Sequence, residues 1–186
     1  MNNARPQNHV VRIMDESSVS GDVDLEIREL LCRCFPADVE YFSRSRGWHG
    51  SYPAFSVIIH YDSRLVGHLS VVMRTVSVGS HDVRVGGVQN VCVAPGSRGA
   101  GLLAPIMVDA MREAGLRNAE FGLLFCLPAL QHAYQRCGWS RVSDRQIHAD
   151  MDGKAVDCDG KNIAMFISLS GKAFPDGDIA LNGMDW

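Results

Sequence analysis

The sequence predicts a single α+β domain, built on a mixed, mostly antiparallel central sheet with helices on both faces. Three apolar strand candidates follow one another over residues 55–93, separated only by the turns Asp62-Ser63 and Gly79-Ser80. Turns this short join antiparallel neighbours. The apolar spacing changes to a helical period at residue 103, and a continuous apolar run covers residues 121–127. A strand–helix–strand passage of this length allows a crossover between parallel strands, which makes the sheet mixed.

The length and composition are those of one globular domain, expected to span residues 1–186. Hydrophobic residues make up 46% and charged residues 21% of the chain, which is ordinary for a protein with a buried core. The formal net charge of -3 provides no basic excess to follow a phosphate backbone, so nucleic acid is not expected as a partner. The oligomeric state is left open, with a homodimer as the candidate assembly.

Localisation is inferred from the absence of targeting segments in the sequence. No apolar stretch approaches the roughly 20 residues of a membrane span, and residues 1–7 lack the hydrophobic segment of a secretory signal. The six cysteines show no paired metal-ligand spacing, and on a helix Cys32 and Cys34 would point to different faces. We therefore expect a cytoplasmic protein with reduced thiols and no bound metal.

The N-terminal part of the chain combines one strand with one helix. Residues 9–14 are the opening strand candidate, and Asp22 or Asp24 is the expected N-cap of the helix that follows. The apolar residues of this helix recur at a spacing of three and four up to Pro36, which ends it. These residues are Ile27, Leu30, Leu31 and Cys34.

The next segment, residues 42–53, has no regular period. It groups basic and aromatic side chains: Arg44, Arg46, Trp48 and His49. Such a mixture is found in substrate-facing loops and equally in surface loops pinned by one tryptophan, so both interpretations stay open. Trp48 is the candidate substrate contact of this segment.

The remaining elements follow from periodicity and glycine positions. Gly67 marks a candidate bulge within the middle strand, residues 65–78. The helix after residue 102 has one apolar face, formed by Leu103, Ile106, Met107, Ala110 and Ala114. A shorter helix ends at Gly138 and has its own apolar face, formed by Leu130, Ala133, Tyr134 and Cys137. The last strand candidates are residues 141–151, 162–170 and 177–181.

The most informative stretch is a strand that enters a glycine-containing turn and then opens an amphipathic helix. The turn consists of Arg98, Gly99, Ala100, Gly101, Leu102 and Leu103. The first turn of a helix has unpaired N–H groups and a partial positive charge, so it can accept an anion such as a pyrophosphate. Glycine allows close backbone approach, and Arg98 can add a charged contact. The stretch has neither the Gly-Lys-Ser/Thr ending of a Walker A loop nor the Gly-x-Gly-x-x-Gly spacing of a dinucleotide site.

Two segments of the sequence resemble the GNAT acyltransferases. Residues 98–103 resemble motif A of that family, Arg/Gln-x-x-Gly-x-Gly/Ala, with Leu103 in place of the last small residue. Residues 129–139 resemble a later segment of the form Ala-x-x-x-x-Tyr-x-x-x-Gly-Phe, here with Tyr134 and Trp139. The resemblance implies a GNAT-like fold and the transfer of an acetyl or other acyl group from acyl-CoA to a primary amine of a small molecule.

The resemblance also implies roles for individual residues. The strand before the turn would pair with the pantetheine arm and the acyl carbonyl through Val91, Cys92 and Val93. The turn would hold the pyrophosphate, and Tyr134 would protonate the CoA thiolate. Without motif A, Tyr134 is better explained as part of an apolar helix face with Leu130 and Ala133; with motif A, the catalytic role is favoured. No base is assigned, because Gln89 stands where related enzymes have a glutamate; the alternatives are His68, His81, Asp82 and Glu120.

Two subfamilies provide looser similarities. Residues 65–69, the block from Tyr134 to Trp139 and the pair Asp185-Trp186 are similar to aminoglycoside 2'-N-acetyltransferases. In that family the C-terminal acidic residues and the final tryptophan face the aminoglycoside. Residues 43–48, 58–62 and 174–177 are similar to nodulation-type N-acyltransferases. Both subfamilies act on amino sugars, which makes an amino sugar the candidate acceptor and Gln89, Trp48, Asp185 and Trp186 the candidate substrate contacts. Trp186 is also explained as a packed plug, and an acyl-CoA-binding module without catalysis is the alternative function.

Overall fold

The computed structural model describes residues 9–186, apart from residues 144, 152 and 159. Residues 1–7, whose composition led to the expectation of a chain without a secretory signal, lie outside this part. The helices are α1 (Gly21–Cys34), α2 (Val39–Phe42), α3 (Leu103–Leu116) and α4 (Gln131–Gln135). The strands are β1 (His9–Asp15), β2 (Phe55–Tyr61), β3 (Arg64–Val78), β4 (His81–Val93), β5 (Phe121–Cys126), β6 (Ser140–Arg141), β7 (Ile147–Met151), β8 (Lys154–Asp157), β9 (Ile163–Ser168) and β10 (Ile179–Ala180).

Within the described residues, the 10 strands form one sheet. Its main path runs in the order β6-β9-β5-β4-β3-β10-β7-β8, and β2 joins β1 to β3 outside that path. Strand β4 is parallel to β5, as β10 is to β7, and the other pairs are antiparallel. The predicted mixed, mostly antiparallel sheet is confirmed, and α3 provides the predicted crossover between β4 and β5.

Helices cover both faces of the sheet, as predicted. Successive residues of a strand point to opposite faces. Val57 and Ile59 of β2 therefore pack in the core cluster that contains the buried side of α3, whereas Ile58 packs in the cluster that contains α1. A fully buried side chain of this kind stabilises the fold by about 1.5–3 kcal/mol, so the two clusters fix both helices on the sheet.

The start of α1 differs from the prediction. Its N-cap is Ser20, whose hydroxyl accepts a hydrogen bond from the Val23 N–H at 3.5 Å. Asp22 and Asp24 lie in the first turn instead, where a carboxylate interacts favourably with the helix dipole. The prediction of an aspartate cap was wrong because serine and aspartate give the same capping signal, and the helix begins one turn earlier than the apolar period does.

The middle strands contain the predicted bulge. In the pairing of β2 with β3, Ile59 lies opposite Gly67 and His60 opposite Leu65, so Val66 is the extra residue of β3. The bulge lies next to Gly67, as the sequence indicates.

The strands after residue 139 are shorter and more numerous than predicted. The run 141–151 is divided between β6, which pairs with β9, and β7, which pairs with β8 and β10. Strand β8 was not predicted, because all of its residues are exposed and it lacks an apolar alternation. The other two strand candidates correspond to β9 and β10.

Candidate functional site

Strand β4 carries a bulge near its end. In its pairing with β3, His68 lies opposite Cys92 and Ser70 opposite Gln89, so β4 has one more residue than β3 in this interval. Asn90 adopts a φ of 55° here, a left-handed conformation that asparagine tolerates better than most residues. A bulge bends its strand and leaves a residue outside the ladder, so the end of β4 departs from regular pairing.

Strands β4 and β5 separate towards their carboxyl ends. Their parallel register runs from Val85 opposite Phe121 to Val88 opposite Leu124, and in the described chain the two strands do not pair beyond that point. A cavity of about 630 Å³ lies between the separated ends. Small-molecule sites typically have volumes of about 300–1,000 Å³, so a cavity of this size can admit a substrate.

The predicted site residues fall into two groups, those that line the cavity and those that do not. Six of them line the cavity wall: Trp48, Gln89, Val91, Tyr134, Asp185 and Trp186. The others do not line it and lie at the end of β4 or in the turn that follows: Cys92, Val93, Arg98, Gly99, Ala100, Gly101, Leu102 and Leu103. The end of β4 therefore connects the cavity to the glycine-containing turn.

The turn between β4 and α3 has a row of backbone donors. In the part of the chain that the structure describes, the N–H groups of residues 99–103 have no hydrogen-bond acceptor. Gly99 and Gly101 have φ values of 80° and 75°, and a Cβ atom at either position would meet no heavy atom within 4 Å. Arg98 is exposed, and its Nε donates to the carbonyl oxygen at the end of β4 at 3.2 Å. These features fit an anion bound close to the backbone.

Leu103 departs from the small residue of motif A without closing the turn. It is the first residue of α3, and its side chain packs against the core cluster below the helix. Leu102 is the N-cap and provides no side-chain hydrogen bond to the first helical turn. The departure therefore leaves the backbone donors of the turn unaffected.

Tyr134 lies on α4 with its side chain almost fully buried in the cavity wall. It is 6% exposed, and its ring meets Trp139 edge-on at a centroid distance of 6.5 Å. Within the described residues, its hydroxyl has no hydrogen-bond partner. Burial raises the pKa of Tyr134, and the neighbouring Cys126 and Cys137 add to the rise, so the phenol is neutral and a donor at physiological pH. Tyr134 therefore packs in the hydrophobic core and also lines the cavity.

Gln89 is 3% exposed and connects β4 to the segment that precedes β2. Its Nε2 donates to the Ser51 carbonyl oxygen at 2.8 Å, and its Oε1 accepts from the Trp48 N–H at 3.2 Å. The adjacent Asn90 acts similarly, because its Nδ2 donates to the Arg46 carbonyl oxygen at 2.8 Å. The two amide side chains hold this loop against the bulged part of β4.

The loop that Gln89 holds carries two aromatic rings on the cavity wall. Trp48 stacks on Phe42 at 5.4 Å and on His49 at 4.5 Å between ring centroids. His49 Nδ1 lies 2.6 Å from Asp185 Oδ1, and both residues line the cavity. Sequence analysis placed Trp48 and Asp185 near a substrate but assigned no role to His49. No local pattern could have found this pair, because 136 residues separate its members.

Trp186 forms part of the cavity wall and is also packed, at 4% exposed. Its Nε1 donates to the Leu123 carbonyl oxygen at 3.3 Å, and the Arg74 guanidinium lies 5.1 Å from its ring centroid. The ring lies directly over Gly87, where a Cβ atom would come within 2.2 Å of it. The interpretation as a packed plug and the position next to a substrate site are compatible.

The four alternatives for a base lie outside the cavity wall. His81 and Asp82 begin β4, at the end of the strand remote from the bulge. Glu120 pairs with Lys172 at 2.5 Å, which lowers the pKa of that carboxyl. His68 is fully buried and donates from Nδ1 to the Asn90 carbonyl oxygen at 3.1 Å. Burial lowers the pKa of His68 to about 3, so it is neutral near pH 7.

A pair of cysteines lies beside the end of β4. Cys34, at the end of α1, contacts Cys92 on β4, and its Sγ lies 3.5 Å from the Val93 carbonyl oxygen. The hydrogen bond with Cys92 and the nearby Arg98 lower the pKa of the Cys34 thiol to about 7. The same contact, together with burial, raises the pKa of Cys92. Both cysteines are free thiols.

Two further properties concern the whole described chain. Among its described residues, no group of three or more His, Cys, Asp or Glu side chains has the arrangement of a metal site. In the same residues, no helix has the length and apolar character needed to cross a membrane.

Comparison with known proteins decides the family. The model of the acetyltransferase (GNAT) domain matches residues 20–142, most of the chain and all of the elements from α1 to β6. The chain belongs to the GNAT acetyltransferase family. No curated protein matches the sequence significantly. The GNAT assignment agrees with the crossover, the separated strands and the turn, which all lie inside the matched residues.

Solved GNAT structures have the same fold at low identity. The GNAT family N-acetyltransferase YhbS from Escherichia coli, in complex with CoA, has a TM-score of 0.66 at 15% identity, covering 100% of this chain and 99% of its own. A GNAT family acetyltransferase from Brucella melitensis, in complex with acetyl-CoA, has a TM-score of 0.61 at 16% identity, covering 94% and 97%. ElaA from Escherichia coli has a TM-score of 0.62 at 16% identity, covering 86% and 99%. At these identities the likeness concerns the fold, which is compatible with acyl transfer from CoA.

Proposed function

We propose that this protein transfers an acetyl or another acyl group from acyl-CoA to a primary amine of a small molecule. The observation that carries the proposal is the shared position of Tyr134 and Val91 on one cavity wall, with the donor-rich turn at the end of the same strand. In this arrangement the pyrophosphate binds to the N–H groups of residues 99–103, and the pantetheine arm follows Val91, Cys92 and Val93 into the cavity. Acyl-CoA is the co-substrate, and the reaction as proposed uses no metal.

The reaction is a direct attack. The amine nitrogen forms a bond to the thioester carbonyl carbon, the carbon–sulfur bond breaks, and sulfur leaves as a thiolate. Tyr134 donates its proton towards that sulfur. A phenol is a weaker acid than a thiol, and burial weakens this one further by raising the pKa of Tyr134. Transfer of the tyrosine proton to sulfur is therefore balanced by the return to the phenolate of a proton that derives from the ammonium. The products are the amide and free CoA thiol.

The charges of the cavity wall support an amine acceptor. Among the described residues that line it, the carboxylates of Asp38, Asp157 and Asp185 outnumber the single ammonium of Lys161. An excess of acidic side chains favours a cationic ligand. The aromatic rings of Trp48 and Trp186 provide flat apolar surface beside these charges. An amino sugar, which combines a cationic amine with a ring face of C–H groups that can pack on tryptophan, is the first acceptor class to test.

A second candidate function is an acyl-CoA-binding module without turnover. It is favoured by Gln89, which cannot take a proton and whose two polar atoms are already engaged by the loop. Both functions require CoA binding, and they differ only in whether free thiol appears when an amine is present.

The test combines CoA binding with thiol release. The wild-type protein should bind CoA and release thiol from acetyl-CoA with at least one amine of a panel of amino sugars and simple amines. Tyr134→Phe should slow release by about 10²-fold or more, the usual effect of removing an acid catalyst, with CoA affinity nearly unchanged. Tyr61→Phe, on β2 and outside the cavity wall, is the matched control. Unchanged turnover in Tyr134→Phe would contradict the assigned role, and binding without any release would favour the module.

A further inference from the structure

His49 and Asp185 lie within hydrogen-bonding distance of each other in the cavity wall, and neither has a role in the reaction as proposed so far. Nδ1 of His49 lies 2.6 Å from Oδ1 of Asp185, and the two side chains are 44% and 33% exposed. Both residues line the cavity together with Tyr134. A histidine whose Nδ1 is bound to a carboxylate is held in one tautomer and one orientation. The pair therefore has the geometry of an oriented imidazole with access to the cavity.

The backbone holds His49 in an unusual conformation. Its φ of 45° and ψ of 28° lie in the left-handed region, which is strained for a non-glycine residue. Stacking on Trp48 at 4.5 Å and the clamp from Gln89 to the flanking residues maintain that conformation. Backbone strain that is held in place by its surroundings is concentrated at functional sites.

The two members of the pair are fixed by one anchor. The Ser51 hydroxyl lies 2.8 Å from the Asp185 carbonyl oxygen and 3.0 Å from that of Met184. Nη1 of Arg74, on β3, donates to the Met184 carbonyl oxygen at 2.6 Å. The Ser51 carbonyl oxygen also accepts the hydrogen bond from Gln89 of β4. Ser51 therefore links the loop that carries His49, the segment that carries Asp185 and strand β4.

We propose that His49 is the general base that takes the proton of the attacking amine, and that Asp185 is its positioning residue. The proposal rests on the proposed function and deepens it. Asp185 can only accept, so Nδ1 of His49 carries the hydrogen and Nε2 carries the lone pair. In the described chain Nε2 has no partner. The proton moves from the ammonium nitrogen to Nε2, and the imidazolium that forms is stabilised by the Asp185 carboxylate.

Other groups on or near the cavity do not replace His49. Among the described residues that line the cavity, His49 is the only histidine, since the buried His68 of β3 and His148 do not line it. The charged groups around the pair are Asp185 itself, Arg74 of β3, which interacts with Asp185, and the cavity-wall residues Asp38, Asp157 and Lys161. On β4, the side chains next to the loop are the non-ionisable Gln89 and Asn90. The pH dependence of the reaction should therefore report mainly on His49.

The test is the pH profile of kcat in matched variants, because kcat reports groups that titrate in the complex with bound substrates. In the wild type, kcat should fall as the pH drops and His49 takes up a proton. His49→Gln should lower kcat by about 10²-fold or more and remove this acidic limb, with CoA affinity unchanged. Asp185→Asn should lower kcat less and move the limb to lower pH, because the charge that stabilises the imidazolium is lost.

Two further variants separate a catalytic role from a structural one. His148→Gln removes a histidine whose Nδ1 lies 2.7 Å from a carboxylate oxygen, that of Asp157. His148 itself does not line the cavity although Asp157 does, so this variant should keep the acidic limb of the wild-type profile. His49→Gly removes the imidazole and relieves the left-handed strain, and added imidazole should restore part of the rate. Rescue by imidazole distinguishes loss of the base from a structural change caused by the lost stacking on Trp48.

The outcomes distinguish this proposal from the proposed function. If the wild type releases thiol and His49→Gln keeps the wild-type kcat and acidic limb, the assignment of His49 is overturned while acyl transfer stands. If the wild type binds CoA but releases no thiol with any amine, the proposed function is overturned, and the role of His49 with it. A His49→Gly variant that loses activity and is not rescued by imidazole also counts against a base at this position.

Discussion

Gln89 Nε2 donates to the Ser51 carbonyl oxygen at 2.8 Å while its Oε1 accepts from the Trp48 N–H at 3.2 Å. An amide side chain satisfies a carbonyl and an N–H at once, whereas a carboxylate can only accept. A glutamate at this position would therefore face the Ser51 oxygen without a hydrogen to donate. Gln89 is thus suited to hold the loop rather than to take a proton, and the loop carries the imidazole proposed for that task.

Gln89→Glu should lower the free energy of unfolding near pH 7 by about 1–3 kcal/mol, the usual consequence of leaving a buried polar group unsatisfied. Burial beside a carbonyl oxygen should raise the pKa of the introduced carboxyl above its unfolded value. The neutral acid can donate to Ser51, so the loss should be smaller at low pH and grow as the pH rises through the raised pKa. Urea unfolding at several pH values measures this.

The control for this variant is Gln135→Glu, at an exposed position of α4. It introduces the same charge without burying it and should change stability by less than about 0.5 kcal/mol. An equal loss in both variants, or a pH-independent loss in Gln89→Glu, would argue against the clamp.

Gly101→Ala should weaken CoA binding by about tenfold or more. Gly101 has a φ of 75°, where a side chain adds about 1–2 kcal/mol of backbone strain, and its Cβ would project from the turn proposed to approach the phosphates. Gly96→Ala in the same connection is the control, because Gly96 has no positive φ and a Cβ there has no neighbour within 4 Å. Isothermal titration with CoA measures both, and equal affinities would place the pyrophosphate elsewhere.

Gly87→Ala should displace Trp186, since the new Cβ would lie 2.2 Å from its ring. Overpacking of a buried position typically destabilises a fold by about 1–3 kcal/mol. The shift should also break the hydrogen bond to the Leu123 carbonyl oxygen and change the cavity wall. Thermal unfolding and the KM for the amine measure the two effects. Gly21→Ala, at a helical position without neighbours within 4 Å, should cause neither.

The local parts of the site were accessible from the sequence. Glycine spacing, the change of apolar period and the tyrosine of α4 all depend on neighbours in the chain, so the turn, the crossover and the position of Tyr134 could be predicted. The cap of α1 was missed because Ser20 lies before the apolar period begins. Strand β8 was missed because pairing with β7, rather than its own pattern, makes it a strand.

The contacts between distant segments could not be predicted from the sequence. Nothing in the local sequence indicates that Gln89 binds the loop near Trp48, or that His49 meets Asp185. Both contacts depend on the bulge at Asn90 and on the strand order, which bring together residues that are far apart in the chain. These tertiary contacts change the interpretation of Gln89 from a missing base to a clamp, and they supply the base candidate that the sequence could not.

His68 should make the protein less stable as the pH falls below about 6.5. Burial lowers the pKa of the folded imidazole to about 3, so between these values the unfolded chain binds a proton that the native state does not. Stability is therefore fully present above the unfolded pKa and declines on acidification, with a slope of up to about 1.4 kcal/mol per pH unit. The interval of about pH 4.5–6.5 lies above most carboxyl titration, and comparison with a variant that lacks only His68 separates its contribution from those of the other six histidines.

His68→Asn tests this origin. Its amide nitrogen can occupy the place of Nδ1 and keep the hydrogen bond to the Asn90 carbonyl oxygen, which is 3.1 Å long in the wild type. The variant has no titratable side chain at position 68, so its unfolding free energy should lose the part of the slope between about pH 4.5 and 6.5 that His68 contributes. His81→Asn removes an exposed imidazole and should keep the wild-type slope. A slope that persists in His68→Asn would mean that another group takes up the proton on unfolding.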